Sequence, residues 1–219
     1  MALEAVIFDA EGVVVDTEPI WDEGQRLFLA RRGIAYDREK VKPLLTGRSL
    51  IEGTRLLADL FALEGPPAEL AEERAEIVRD LMADVQLVPG FSEFFSAVRG
   101  RFQTCVATAM AEELFDVVDR KLGIRDLFAG RVYTLSDVGQ RAKPDPALFL
   151  FASAQLEVPP PRCVVIEDSP LGIEAAHRAG IRVVGLATTY RAESLGGSDL
   201  VADGYSDLDP DRLEALVAG

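Results

Sequence analysis

The chain has 219 residues, 48% of them apolar, with a formal charge of −14 and a pI near 4.5. That length holds one large domain, or a main domain with a smaller companion, around a packed core. The acidic balance excludes an extended nucleic-acid or anionic-membrane surface, which needs clustered Lys and Arg, so any phosphate handled here is expected to be small and held locally.

The first element is the apolar run Val6-Ile7-Phe8, which leads into Asp9-Ala10-Glu11-Gly12. Residues i and i+2 of an extended chain point to one side, so Asp9 and Glu11 are expected to project together from a strand end. Thr17 to Gln86 reads as helices only, broken at Gly33, Gly47 and Gly65-Pro66-Pro67. Within it, Ser49-Leu50-Ile51-Glu52 has the spacing of a capping box, predicting a helix from about Leu50 towards Phe61.

From Val88-Pro89-Gly90 onward, helices and strands alternate. The predicted order is helix Phe91–Arg99, strand "QTCVAT", helix Ala111–Leu122 closed by Gly123, and strand "RVYTL". Helix Pro146–Leu156, strand "RCVVIED", helix Pro170–Ala179 closed by Gly180, strand "RVVGLA" and a last short helix from Pro210 follow. This alternation predicts an α/β fold with a parallel sheet and helices on both faces. The core is expected to draw on residues 1–16 and 89–219, with 17–88 inserted as a helical cap.

Cys105 and Cys163 each open an apolar run, where a reduced core thiol is the usual occupant. No apolar run approaches the ~18 residues of a membrane span. The stretch "MALEAVIFDAEG" has neither a basic leader region nor a small-residue cleavage site, which leads us to expect a cytoplasmic protein.

Ligands of open parallel sheets bind beyond the carboxyl ends of the strands. The first strand delivers Asp9 and Glu11 there, "TCVAT" delivers Thr108, the turn after "RVYTLSDVG" leads to Lys143, and "RCVVIED" delivers Glu167 and Asp168. Each alone has a plain structural explanation, whereas their convergence on one sheet edge suits phosphoryl transfer to a carboxylate. An aspartate nucleophile, Mg²⁺ on hard oxygen ligands, a lysine and a threonine hydroxyl for phosphoryl oxygens, and a second acid for the leaving group are the parts required.

The same stretches resemble the haloacid dehalogenase superfamily, within it the phosphatase and β-phosphoglucomutase-like branch with a helical cap on a Rossmann-like core. "VIFDAEGVVVDTEP" is similar to its first motif, "VATAM" to its second, "GQRAKPDPALF" to its third and "CVVIEDSPLGIEAAHRAG" to its fourth. The resemblance implies Asp9 as nucleophile and Mg²⁺ ligand, the Glu11 carbonyl as a further ligand, and Asp168 with Glu167 completing the metal site. It implies that Thr108 and the Ala109 amide hold the phosphoryl group and that Lys143 bridges that group and Asp9. It also implies a sheet order with the first strand between "TCVAT" and "CVVIED", which sets Cys105 and Cys163 two strand spacings apart, too far for a disulfide.

Glu11 departs from the resemblance, since the second carboxylate of the motif is usually Asp. A retained carboxyl implies a phosphate ester whose leaving group needs a proton, rather than dehalogenation or phosphonate hydrolysis. Lys40 and Lys42, the cap lysines, are expected as helix-surface charges. Arg48, in the loop Thr46-Gly47-Arg48-Ser49, is the candidate for gripping the rest of the substrate. Trp21 and Leu50 stand where the sugar-phosphate mutases of the branch place a histidine and an arginine, and His177, the only histidine, falls on a helix. The expectation is therefore a Mg²⁺-dependent phosphatase of a small phosphorylated metabolite, monomeric or weakly dimeric. The alternatives are a phosphosugar mutase and a ligand-binding protein weakened by Glu11.

Overall fold

A computed structural model describes residues 1–45, 48 and 50–218. The predicted capping box depends on Ser49, which lies outside the described residues, as do Thr46 and Gly47. The chain divides into two compact units, Met1–Asp16 with Gln86–Gly219, and Thr17–Val85.

In the first unit the main-sheet strands are β1 (Ala5–Phe8), β4 (Gln103–Ala107), β5 (Val132–Tyr133), β6 (Cys163–Glu167), β7 (Arg182–Leu186) and β8 (Leu200–Ala202). They form one parallel sheet in the order β5-β4-β1-β6-β7-β8. β1 is thus central, between β4 and β6. Two further strands, β2 (Val15–Asp16) and β3 (Gln86–Leu87), pair antiparallel as a separate ribbon. The sequence pattern reads Gln86 into the helical run because two residues per strand carry no periodicity. "RVYTL" likewise contributes only two strand residues before a 3₁₀ turn over Leu135–Val138.

The helices of this unit are α5 (Phe91–Arg99), α6 (Glu112–Leu122), α7 (Ile124–Leu127), α8 (Ala147–Gln155), α9 (Pro170–Arg178) and α10 (Pro210–Ala218). Side chains alternate across the sheet, which splits the core into two layers. Ala5, Ile7, Cys105, Ala107, Cys163, Val165 and Val183 pack with Leu148 and Phe149 of α8 and Ile173 and Ala176 of α9. On the other face, Phe8 meets Phe91, Phe94 and Phe95 of α5, and Phe128, edge to face at 5.7–6.4 Å between ring centres. The spacing Phe91, Phe94, Phe95, Val98 gives α5 the apolar stripe that seats it there. Cys105 pairs in register with Ile7 and Cys163 with Ala5, from opposite sides of β1, and both thiols are free and buried.

The second unit holds α1 (Glu18–Ala30), α2 (Arg38–Leu45), α3 (Leu50–Phe61) and α4 (Pro67–Leu81). Its own core gathers Phe28, Leu29, Val41, Leu57, Leu70 and Ile77. Lys40 lies over the Phe61 ring, and Lys42 is half-buried and ion-paired with Glu18. Burial pulls Lys42 below the usual lysine value, so it is less of a surface charge than the sequence suggests. Among the described residues no helix is long and apolar enough to cross a membrane.

Candidate active site

The extended run of β1 stops at Phe8, and the Asp9 amide makes the last rung, donating to the Ile166 carbonyl at 3.0 Å. The chain then turns. The amides of Val14 and Val15 donate to the Ala10 carbonyl, and the Gly12 amide donates to the Val15 carbonyl at 2.8 Å. Gly12 adopts φ +69°, and a Cβ there would collide with the Asp168 carboxylate. The expected strand alternation therefore does not reach Glu11, which lies on a turn and bridges to Val15.

Asp9 is 5% exposed. Its Oδ1 accepts from Lys143 Nζ at 2.5 Å, and the same ammonium donates to Glu167 Oε1. Lys143 Nζ also lies over the Phe149 ring, 5.2 Å from its centre, so the first turn of α8 presents an aromatic face to the ammonium. The parity of β6 explains the meeting. Cys163, Val165 and Glu167 share the face on which α8 and α9 pack.

Glu167 is fully buried. Its second oxygen accepts from the amides of Asp168 (2.9 Å) and Ser169 (2.8 Å) and from the Ser169 hydroxyl (2.9 Å). Ser169 in turn caps α9 by accepting from the Gly172 amide. A Cβ on Gly172 would overlap the Glu167 carboxylate, so only glycine leaves it room. Both oxygens of Glu167 are therefore engaged by donors of the chain. Among the described residues no group of three or more His, Cys, Asp and Glu forms a ready metal cage.

Asp168 is 7% exposed, and its carboxylate converges with the Thr189 hydroxyl on the space above Gly12. Burial, with the charges of Glu167 and Asp9, holds its carboxyl well above the usual range. Burial likewise pushes Asp9 up to about 7, against the pull of Lys143 and with Glu167 and Glu11 adding to the rise. For Lys143, burial works against the charge, but Asp9 and Glu167 outweigh it and keep the ammonium protonated. The net result is one cation among several acids in a poorly hydrated place.

Thr108 follows β4, with its amide tied to the Tyr133 carbonyl at 2.9 Å and its Oγ1 accepting from the Met110 amide at 3.0 Å. Ala109, between them, is exposed. Arg48 belongs to the helical unit, where it is exposed and pairs with Glu52 at 3.1 Å. His177 sits on α9 against Asp199, at 3.0 Å, apart from these groups. Of the residues singled out in the sequence, Asp9, Lys143 and Glu167 are in direct contact, and Asp168 and Glu11 are coupled to Asp9 through charge. The sequence offers Gly12 as a bend and Ser169 as a helix start, but not their contacts with Asp168 and Glu167, and it gives no reading of Gly172, Thr188 or Thr189. The D-S-P-L-G run after β6 was the available signal for Ser169 and Gly172, since a buried acid at the helix start needs a capping serine and a residue without Cβ.

A parallel sheet carrying acids and a lysine at its carboxyl edge is an α/β core with a polar candidate site, and the comparisons supply the class. The chain belongs to the haloacid dehalogenase-like hydrolase family, whose model matches residues 3–180. It is 31% identical over 180 residues to the fructose-1-phosphate phosphatase YqaB of Escherichia coli, covering 82% of this chain and 94% of that one. It is 31% identical over 188 residues to the mitochondrial (DL)-glycerol-3-phosphatase of Arabidopsis thaliana, covering 82% of this chain but only 62% of that longer protein. A solved family hydrolase from Deinococcus radiodurans, with bound phosphate and sodium, is 29% identical, with a TM-score of 0.85 over 99% of this chain and 97% of that one.

Proposed function

We propose that this chain, a phosphoric monoester hydrolase of the haloacid dehalogenase type, cleaves a small phosphorylated metabolite through an aspartyl-phosphate on Asp9, with Mg²⁺ as cofactor. The observation that carries the reading is Lys143 fixed between Asp9 and Glu167 at the carboxyl end of the central strand. That contact orients Asp9 through Oδ1 and leaves Oδ2 for attack on phosphorus.

The donor set suits Mg²⁺, which takes one or two carboxylates and completes its shell with waters and substrate phosphate. Asp9, Asp168 and the Glu11 carbonyl would hold it. Glu167, its oxygens committed to Lys143 and the β6–α9 turn, is better suited to fixing Lys143 than to ligating. The carboxyls of Asp9 and Asp168, raised chiefly by burial and further by neighbouring acids, support this fit, because a cation beside them offsets both effects. When bound, the ion neutralises charge on the phosphoryl oxygens.

In the proposed reaction Asp9 attacks phosphorus and the ester P–O bond breaks, while Glu11 gives its proton to the departing alkoxide. Lys143, the Thr108 hydroxyl and the Ala109 amide hold the phosphoryl oxygens. Glu11 then takes a proton from water, which attacks phosphorus of the aspartyl-phosphate, releases inorganic phosphate and restores Asp9. The helical unit acts as the cap that selects substrates, with Arg48 contacting an anion or hydroxyls of the leaving portion. The sugar-phosphate specificity in the name of the bacterial relative supports a phosphorylated carbohydrate as substrate class. Two buried free thiols support a reducing, cytoplasmic setting.

The test is phosphate release from sugar phosphates, polyol phosphates and nucleotides, with Mg²⁺ and with EDTA, for the parent and Asp9→Asn. The reading expects Mg²⁺-dependent release that Asp9→Asn abolishes. Isomerised product without phosphate release, or release unaffected by Asp9→Asn, would overturn it.

A further inference from the structure

Two hydroxyls that follow β7 close on the site from a stretch outside the four motifs. Thr188 Oγ1 donates to the Gly12 carbonyl at 2.5 Å, and the Thr189 hydroxyl and the Asp168 carboxylate face the same point above Gly12. A Cβ placed on Gly12 would come within 2.6 Å of Thr189 Oγ1 and closer still to Asp168 Oδ2, so both side chains converge on the space that glycine leaves open, where the Thr189 hydroxyl is placed to favour one orientation of the carboxylate. The backbone supports the reach, because the Thr188 amide turns back onto the Leu186 carbonyl at 2.9 Å while the Ala187 amide is held by the Ala202 carbonyl at 2.8 Å.

We infer that the Thr188-Thr189 pair positions the metal-binding groups, Thr189 fixing the Asp168 carboxylate and Thr188 fixing the turn that carries the Glu11 carbonyl. The inference rests on the proposal above that these groups receive Mg²⁺. Asp168 stands beside Glu167 and near Asp9, so repulsion alone would rotate its carboxylate away. A neutral hydroxyl holds one orientation without cancelling the charge that a cation needs. Lysine or arginine in that place would satisfy Asp168 and compete with the metal. Thr188 complements this by tying the Gly12 peptide, one residue after Glu11, to the same two-residue segment, so the two ligand groups cannot drift apart independently. Hydrogen bonds of this kind around metal ligands typically govern about 10–100-fold in metal affinity.

The experiment is Mg²⁺ titration by calorimetry, with Mn²⁺ binding followed by electron paramagnetic resonance, on the metal-free parent, Thr189→Val, Thr189→Ser and Thr188→Val. Circular dichroism confirms the fold of each. Thr189→Val is expected to bind both ions roughly 10–100-fold more weakly, and Thr189→Ser, which keeps the hydroxyl, to recover most of that loss. Thr188→Val should also weaken binding, which keeps the test open if Thr189→Val fails to fold. A merely structural threonine would lower thermal stability without this hydroxyl-specific rescue. Metal affinity equal to the parent's in either folded valine variant would overturn the inference. A parent that binds no Mg²⁺ at all would instead overturn the functional proposal beneath it.

Discussion

Lys143 Nζ lies 2.5 Å from Oδ1 of Asp9, across 134 residues of sequence, and the same ammonium is held by Glu167. Lys143→Ala is therefore expected to lower phosphate release roughly 10²–10³-fold, the scale for deleting a preorganised charge contact. It should also lower stability, because Asp9 and Glu167 then face each other without a cation. Steady-state kinetics on protein shown to be folded by circular dichroism checks this, and a rate within a few-fold of the parent would remove Lys143 from the machinery.

The carboxyl of Asp9 has an ordinary value of 3.8 and a folded value of about 7. A raised folded value means that its contribution to stability is fully present below the unfolded value and is lost as pH rises through the folded one. Asp9→Asn, which cannot ionise, should match the parent near pH 4 and be more stable at pH 8 in metal-free buffer, by several degrees in Tm. Thermal denaturation at the two pH values measures it. An Asn variant less stable than the parent at pH 8 would show that the Lys143 contact outweighs burial.

Glu11→Gln keeps the main-chain carbonyl and should keep Mg²⁺ binding. Without a transferable proton, turnover of alkyl phosphates is expected to fall roughly 10²–10⁴-fold. An aryl phosphate, whose leaving group needs less protonation, should lose less. Equal losses on both substrate types would assign Glu11 to the second step alone, and no loss would exclude it as the acid.

In the helical unit Arg74 is 3% exposed, and among the described residues its hydrogen-bond partners are neutral. Its Nε and Nη2 donate to Gln25 Oε1 at 3.1 and 2.7 Å, and Nη1 donates to Thr54 Oγ1 at 2.6 Å, which ties α4 to α1 and α3. Burial lowers its pKa to about 10. Arg74→Met should cost about 2–4 kcal/mol by leaving Gln25 unsatisfied in the core, and Arg74→Met with Gln25→Leu should recover part of it. Chemical denaturation of the two single variants and the double variant gives the coupling.

The fold was legible where burial is complete. β1, β4, β6 and β7 read as apolar runs because helices cover both faces, and glycines such as Gly123 mark the helix ends through their left-handed backbone. Short pieces were not legible. The β2–β3 ribbon and the edge strand β8 are two and three residues long, and their pairing depends on distant chain. At the site, residue types at strand ends pointed to Asp9, Thr108, Lys143, Glu167 and Asp168, but not to which of two successive acids Lys143 would meet. That follows from the parity of β6 relative to α8 and α9, a property of packing. Thr188 and Thr189 were illegible because a hydroxyl becomes a brace only when the fold brings Gly12 and Asp168 to it.

The most direct test of the account is the stereochemical course at phosphorus, using a phosphorothioate ester made chiral with ¹⁶O and ¹⁸O and hydrolysed in ¹⁷O-labelled water, so that the released thiophosphate is itself chiral. Attack by Asp9 followed by attack of water inverts the centre twice, so the account predicts net retention in the released thiophosphate. Net inversion would mean that water attacks the substrate directly, and would contradict Asp9 as the nucleophile.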